Sequence, residues 1–221
     1  MNSYWREFAE RVCITAKLMD RLGLTAGTSG NISMRVTGQS YAVITPSGMP
    51  YQALTPDDMV VVDLSGQMVT GFHPASSETP LHTHLYSEFE SVQAVVHTHS
   101  LYATAFSVVR KPIPFVSLEG LGVNSLTVPV AEYALPGTPD LAISAAKALR
   151  GYPDVLAILL PNHGLVTVGA TLDDAFSLAI NVEREAQILA IASSLGTPVQ
   201  LSAAQLSQIN ATYAAARRKT S

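Results

Sequence analysis

Apolar residues recur every three or four positions at the start of the chain. Trp5, Phe8, Val12, Ala16 and Met19 fall on one stripe, which predicts an amphipathic helix over residues 4–22, stopped by Gly23. Beyond the small-residue loop Thr25-Ala26-Gly27-Thr28-Ser29-Gly30-Asn31, residues 32–36 and 41–44 read as a strand pair turning at Thr37-Gly38-Gln39-Ser40. A second small-residue loop, Thr45-Pro46-Ser47-Gly48, precedes a strand over 59–64 that turns at Ser65-Gly66. Thr79-Pro80 opens a helix to about residue 89, with proline in the first turn, where its missing N–H is not needed. A strand over 92–98 and a helix over 101–108 follow, then loops and short strands over 112–137 and a helix over 141–149. Residues 155–160 form a buried strand ending at Pro161-Asn162-His163-Gly164, with 165–168 as its hairpin partner. Thr171 caps the longest helix, 172–194, which stops at Gly196, and a short helix over 203–217 ends the chain. Helices and strands interleave without a linker or repeat, so the expectation is one α/β domain over 1–221. Its tight turns make the sheet largely antiparallel or mixed.

Composition narrows the partners. Hydrophobic residues make up 48% of the 221 and charged ones 14%, which argues against disorder and for extensive burial, including between subunits. The net charge is −4, and the one basic run, Arg217-Arg218-Lys219, is terminal, so no nucleic acid is expected. Residues 1–22 carry Arg6, Glu7, Glu10 and Arg11, unlike a signal peptide, and no run of about 18 apolar residues suits a membrane. With Cys13 as the only cysteine, there is no intrachain disulfide and no thiolate cluster. A soluble cytoplasmic protein is the expectation.

The candidate chemistry begins at His97-Thr98-His99. In a strand, residues two apart point to one face, so these imidazoles aim at one point, the start of a catalytic metal site. His82-Thr83-His84 has the same spelling in a predicted helix, where a step of two turns about 200° and the side chains diverge. His82 and Tyr86 share a helix face at i, i+4 and suit a structural hydrogen bond better than ligation. His73, in a loop, is given no role. His163 sits in a turn at a strand end, where functional side chains gather, and Gly164 lets another group come close. Three protein ligands plus an open position is the usual catalytic zinc arrangement, and His163 is the candidate third.

Anion-binding chemistry is the next expectation. Ser76-Ser77-Glu78 stands at a helix start, where unpaired N–H groups and the dipole favour a phosphate. Ser77 as a helix cap and Glu78 as a first-turn acid account for the same residues. The loops at 27–31 and 45–48 add backbone N–H groups and small donors, though neither matches a P-loop.

Taken in order, Gly27-Thr28-Ser29-Gly30-Asn31-Ile32-Ser33, Thr45-Pro46-Ser47-Gly48, Ser76-Ser77-Glu78, His97-Thr98-His99 and Pro161-Asn162-His163-Gly164 resemble the class II aldolase/adducin family, from about residue 5 to about 215. The resemblance implies a three-layer α/β/α sandwich around a mainly antiparallel sheet and a C4 homotetramer with its site near a subunit boundary. It implies one zinc ion per subunit on His97, His99 and His163, with Mn²⁺ or Fe²⁺ suited to the same ligands. Glu78 would be the acid/base and a fourth ligand before substrate binds. Asn31, Ser47, Gly48, Ser76 and Ser77 would hold a phosphate, and Tyr213 would match a second site tyrosine. Where the family's aldolases carry their first catalytic tyrosine this chain has Leu118, beside Glu119, an extra carboxylate. The implied reaction is retro-aldol cleavage of a ketose 1-phosphate to dihydroxyacetone phosphate and a small aldehyde, with burial expected to raise the Glu78 pKa. A 4-epimerase, a decarboxylase of a 3-oxo acid phosphate or a dehydratase of a ketose phosphate would use the same metal site. The Glu that ends Ser-Ser-Glu favours the aldolase over the epimerase, which typically has Asp there. A non-catalytic scaffold like adducin heads would lack the three histidines, and a zinc hydrolase would release inorganic phosphate.

Overall fold

The computed structural model describes residues 3–118, 127–152 and 155–220, the side chains of 3, 210 and 213–220 excepted. The elements run α1 (Ser3–Arg21), β1 (Asn31–Arg35), β2 (Tyr41–Ile44), β3 (Val60–Asp63), β4 (Met68–Thr70), α2 (Thr79–Glu88), β5 (Ala94–Thr98), α3 (Leu101–Val108), β6 (Ile113–Pro114), β7 (Thr127–Val128), α4 (Pro139–Gly151), β8 (Ala157–Leu160), β9 (Gly164–Gly169), α5 (Leu172–Leu195) and α6 (Ala203–Thr220). Among the described residues, seven strands pair in the order β4-β3-β2-β1-β5-β9-β8, every neighbour antiparallel, and β6 and β7 form a separate ribbon.

Period-two alternation divides the core in two. Ile32, Met34, Val43, Val61, Ala94, Val96, Leu159 and Leu165 pack with α1, α3 and α5. Ala42, Ile44, Val60, Val62, Val95, Ile158, Val166 and Val168 pack with α2 and α4. Each fully buried Val, Leu or Ile contributes about 1.5–3 kcal/mol relative to exposure, and both faces are covered. The result is the expected helix–sheet–helix sandwich. On the α2 side of β1 the alternation is broken by chemistry: Asn31 and Ser33 are buried polar residues, and His97 of β5 joins them. The register sets Asn31 across from His97.

Most predicted elements lie where the pattern put them, with three differences. Strand β4 follows the Ser65-Gly66 turn, its three residues all exposed, so no burial pattern marks it. Short 3₁₀ turns occupy Tyr51–Ala53 and Pro56–Asp58. Helix α2 takes Glu78, not Ser77, as its N-cap residue, and no side chain caps it. The backbone N–H of Glu78 instead donates to Ser76 Oγ at 3.2 Å. Thr171 caps α5 as expected, its hydroxyl accepting from the Asp174 N–H. His73, given no role, pairs with Asp58 at 2.9 Å. No helix among the described residues is long and apolar enough to cross a membrane.

Candidate active site

Strands β5 and β9 deliver the three histidines. His97 and His99 leave the C-terminal end of β5 on one face. The β8–β9 hairpin pairs Leu160 with Gly164, so His163 sits in its turn beside them. Asn162, in the left-handed region at φ 56°, makes that turn. Gly164 is needed for space: a Cβ there would run into the Thr98 carbonyl and lie 3.2 Å from the His97 ring. Gly30 is needed for the same reason and for its φ of +79°, since a Cβ would approach the His97 carbonyl to 2.8 Å. The three ring centroids lie 4.7–4.9 Å apart, and one ligand nitrogen from each falls within 4.8 Å of the others.

Electrostatics at this point call for a cation. His97 is fully buried, and burial pushes its pKa down to about 4, so the ring is neutral near pH 7. Its Nδ1–H donates to the Leu165 carbonyl at 3.0 Å. The bare Nε2 therefore faces His99 Nε2 at 3.0 Å and Glu78 Oε2 at 3.0 Å. A lone pair set against a carboxylate oxygen at that distance is repulsive unless positive charge lies between them. His163 Nε2 is 3.3 Å from Glu78 Oε1, and that oxygen is buried without a hydrogen-bond partner, as is His163 Nδ1. Burial also lowers the pKa of His99 and His163, leaving them neutral as ligands must be. Three imidazole nitrogens fit a zinc-type ion with a fourth position beside the Glu78 carboxylate.

The Glu78 carboxyl departs from expectation. Burial pushes its pKa up, but His97, His163, the Asn31 amide and His82 together pull it down, and the carboxyl lies below its ordinary value. The expected rise fails because the groups crowded around this carboxylate favour its charge more than desolvation opposes it. Asn31 Nδ2 donates to Glu78 Oε2 at 3.1 Å.

A cleft of about 190 Å³ opens beside His99 and His163. Asn31, Ser47, Gly48, Ser76 and Ser77 all line it, together with Glu78, His99 and His163. An antiparallel bridge between Pro46 and Ala75 joins two of the loops: Ser47 N–H donates to Pro74 O at 2.9 Å, and Ser76 N–H to Thr45 O at 3.2 Å. Those two backbone donors are thereby used, so Ser47 and Ser76 offer a ligand their hydroxyls rather than their N–H groups. Tyr51 pins the third loop, its hydroxyl donating to Gly30 O at 2.5 Å with Ser29 O 3.0 Å away.

Comparison with known proteins agrees with this geometry. The family model for the class II aldolase and adducin N-terminal domain matches residues 10–190. The chain belongs to this family. It is 36% identical over 193 residues to an L-fuculose phosphate aldolase of Escherichia coli O6:H1 (strain CFT073), covering 87% of each chain. A 5-deoxy-D-ribulose 1-phosphate aldolase of Bacillus thuringiensis serovar kurstaki is 37% identical over 191 residues, 86% of this chain and 87% of that one. A solved L-fuculose 1-phosphate aldolase superposes with a TM-score of 0.86 at 32% identity, covering 94% of this chain and 96% of the other. The chain is thus an enzyme of the class II aldolase type, a metal-dependent lyase class, with a three-histidine constellation suited to a metal ion.

Within this class II aldolase chain, the residues named from sequence fall into two groups. His99, His163, Glu78, Asn31, Ser47, Gly48, Ser76 and Ser77 line one cleft, and His97 is buried against Glu78 and His99. Tyr213 belongs to α6 with its side chain outside the described part, and Glu119 lies outside the described residues. Leu118 is 53% exposed. Sequence reasoning missed Pro136, which lines the cleft, and Tyr51, which fixes one wall. Pro136 carries no polar signal and comes from a stretch without periodicity. Tyr51 in Met49-Pro50-Tyr51 reads only as a loop aromatic. His82 is fully buried and held by hydrogen bonds, as its helix face implied.

Proposed function

We propose that this enzyme cleaves a small ketose 1-phosphate by a retro-aldol reaction, giving dihydroxyacetone phosphate and a small aldehyde. The observation that carries the reading is that one cleft joins the three-histidine centre and Glu78 to the hydroxyls of Ser47, Ser76 and Ser77. His97, His99 and His163 would hold one divalent cation, zinc by preference for three imidazoles, with manganese or iron suited to the same ligands. Such a cation, when bound, polarises the ketose carbonyl and offsets the negative charge left on oxygen as the carbon–carbon bond breaks. The phosphate would rest on Asn31, Ser47, Gly48, Ser76 and Ser77, fixing the reacting carbons over the histidines. Glu78 would move the proton. Charged at neutral pH, it takes the proton released by the substrate hydroxyl in cleavage and delivers it to the carbon the aldehyde has left; in condensation it removes that proton. Tyr213, the match of the family's second site tyrosine, would be a further catalytic residue.

We further infer one domain over 1–221, a cytoplasmic homotetramer, and a small phosphorylated sugar as the partner in place of nucleic acid or membrane. The test is a panel of ketose 1- and 5-phosphates with added zinc or manganese and product identification. A ketose 1-phosphate split into dihydroxyacetone phosphate and an aldehyde is the expected result. Epimerisation, loss of carbon dioxide or water, or release of inorganic phosphate without carbon–carbon cleavage would contradict it.

A further inference from the structure

Behind Glu78 lies a row of buried polar side chains, of which the proposed reaction uses only Asn31. Ser33 Oγ stands 2.7 Å from His82 Nδ1 and 2.6 Å from the Tyr86 hydroxyl. His82 Nε2 stands 2.5 Å from Asn31 Oδ1, and Asn31 Nδ2 reaches Glu78 Oε2. Asn31, Ser33, His82 and Tyr86 are all buried beneath α2. The direction of every bond follows from the carboxylate, which can only accept. Asn31 must present its amide N–H to Glu78, so its carbonyl faces His82. His82 must then donate from Nε2, which leaves Nδ1 bare to accept from Ser33. The one hydroxyl proton of Ser33 is thereby used, and Tyr86 must donate to Ser33 Oγ. Four donors in sequence point toward Glu78, and no other assignment leaves each of them satisfied.

We propose that His82 is a positioning residue for Glu78, acting through Asn31. With its tautomer fixed by Ser33, His82 holds the Asn31 amide in the only orientation that donates to Oε2. That pins Oε2 and leaves Oε1, which has no hydrogen-bond partner and lies 3.3 Å from His163 Nε2, to turn to the substrate carbon for the proton exchange. In the step concerned, the C–H bond next to the carbonyl breaks, its electron pair stays on the substrate, and an O–H bond forms at Oε1. Without the His82 donor, Asn31 can rotate and set its own carbonyl against the carboxylate, which misplaces Oε1. The proposal rests on the acid/base reading of Glu78 given above.

The test uses the metal-loaded enzyme and dihydroxyacetone phosphate in deuterated water, a half-reaction that needs no aldehyde. His82→Leu is expected to lower the maximal rate of carbon-bound hydrogen exchange by about 10- to 100-fold, with a much smaller change in the half-saturating concentration. His82→Gln, which still offers an N–H to Asn31, should recover most of that loss. In an Asn31→Ala background, His82→Leu should cause no further loss. Nitrogen NMR of labelled histidines in the unaltered enzyme, with the His82 signals assigned by their absence in His82→Gln, should show the proton on Nε2 and none on Nδ1, whether or not His82→Leu folds. The opposite tautomer, full exchange in His82→Leu, or no rescue by glutamine would overturn the role of His82 alone. Absence of exchange in the unaltered enzyme would overturn the reading of Glu78 as well.

Discussion

The tripeptide His-Thr-His occurs twice, and backbone geometry gives it two different uses. On β5 a step of two residues returns to the same face, so His97 and His99 bring their Nε2 atoms to 3.0 Å. On α2 the same step turns about 200°, sending His82 into the buried polar row and leaving His84 half-buried on another face. Thr98 and Thr83 follow the same logic. Thr98 is fully buried on the α5 side of the sheet, while the Thr83 hydroxyl donates to the Thr79 carbonyl one turn back. A metal site is thus specified by a residue type together with the period of the element that carries it.

The largest effect should come from breaking the strand pair. His97→Ala is expected to lose the metal on dialysis, read by elemental analysis, and with it at least about 10³-fold in activity; full metal content with unchanged activity would remove the ligand role. Glu78→Gln tests the carboxylate that both His-Thr-His segments border. It should keep the metal and lose about 10²- to 10⁴-fold in carbon-bound hydrogen exchange, measured by NMR in deuterated water. Gly164→Ala would drive a Cβ toward the Thr98 carbonyl and the His97 ring. A loss of about 1–3 kcal/mol in stability is expected from that overpacking, read from the urea midpoint.

Acid stability sharpens the comparison, because one histidine from each tripeptide is fully buried. Burial holds His82 at about 3 and His97 at about 4, below the ordinary 6.5. The unfolded chain therefore binds more protons than the folded one at pH values below about 6.5. Stability of the metal-free protein should be fully present above that pH. It should fall as pH drops toward 4 and then 3, by up to about 1.4 kcal/mol per pH unit for each ring. Urea titrations at pH 7, 5 and 4 in the presence of a chelator would measure it, and a midpoint independent of pH would contradict the burial argument. The smallest effect belongs to His84→Ala, expected to leave metal content and activity unchanged and stability within about 0.5 kcal/mol.

What could be read from the sequence follows the strength of the local signals. Strands β2, β5, β8 and β9 read as short apolar runs because both faces of the sheet are covered, and α1 reads as a stripe because one of its faces packs on the sheet, so those elements were legible. The exposed strand β4 has no such signal. Convergence of Asn31, Ser47, Ser76 and the histidines was readable only through motif order, because the register of β1 against β5 and the Pro46–Ala75 bridge join segments far apart in the chain. The direction of the Glu78 pKa was misjudged from burial alone. The opposing pull comes from His97, His163 and Asn31, whose distances no sequence supplies. Ser77 as cap failed for a related reason: Ser76 takes the Glu78 N–H, and the helix begins one residue later.

A crystal soaked in zinc and measured by anomalous scattering at the zinc edge tests the central claim most directly. One ion is expected within about 2.0–2.1 Å of the Nε2 atoms of His97, His99 and His163, beside the cleft lined by Ser47, Ser76 and Ser77. A scattering peak elsewhere, or rings that stay apart with no ion between them, would contradict it.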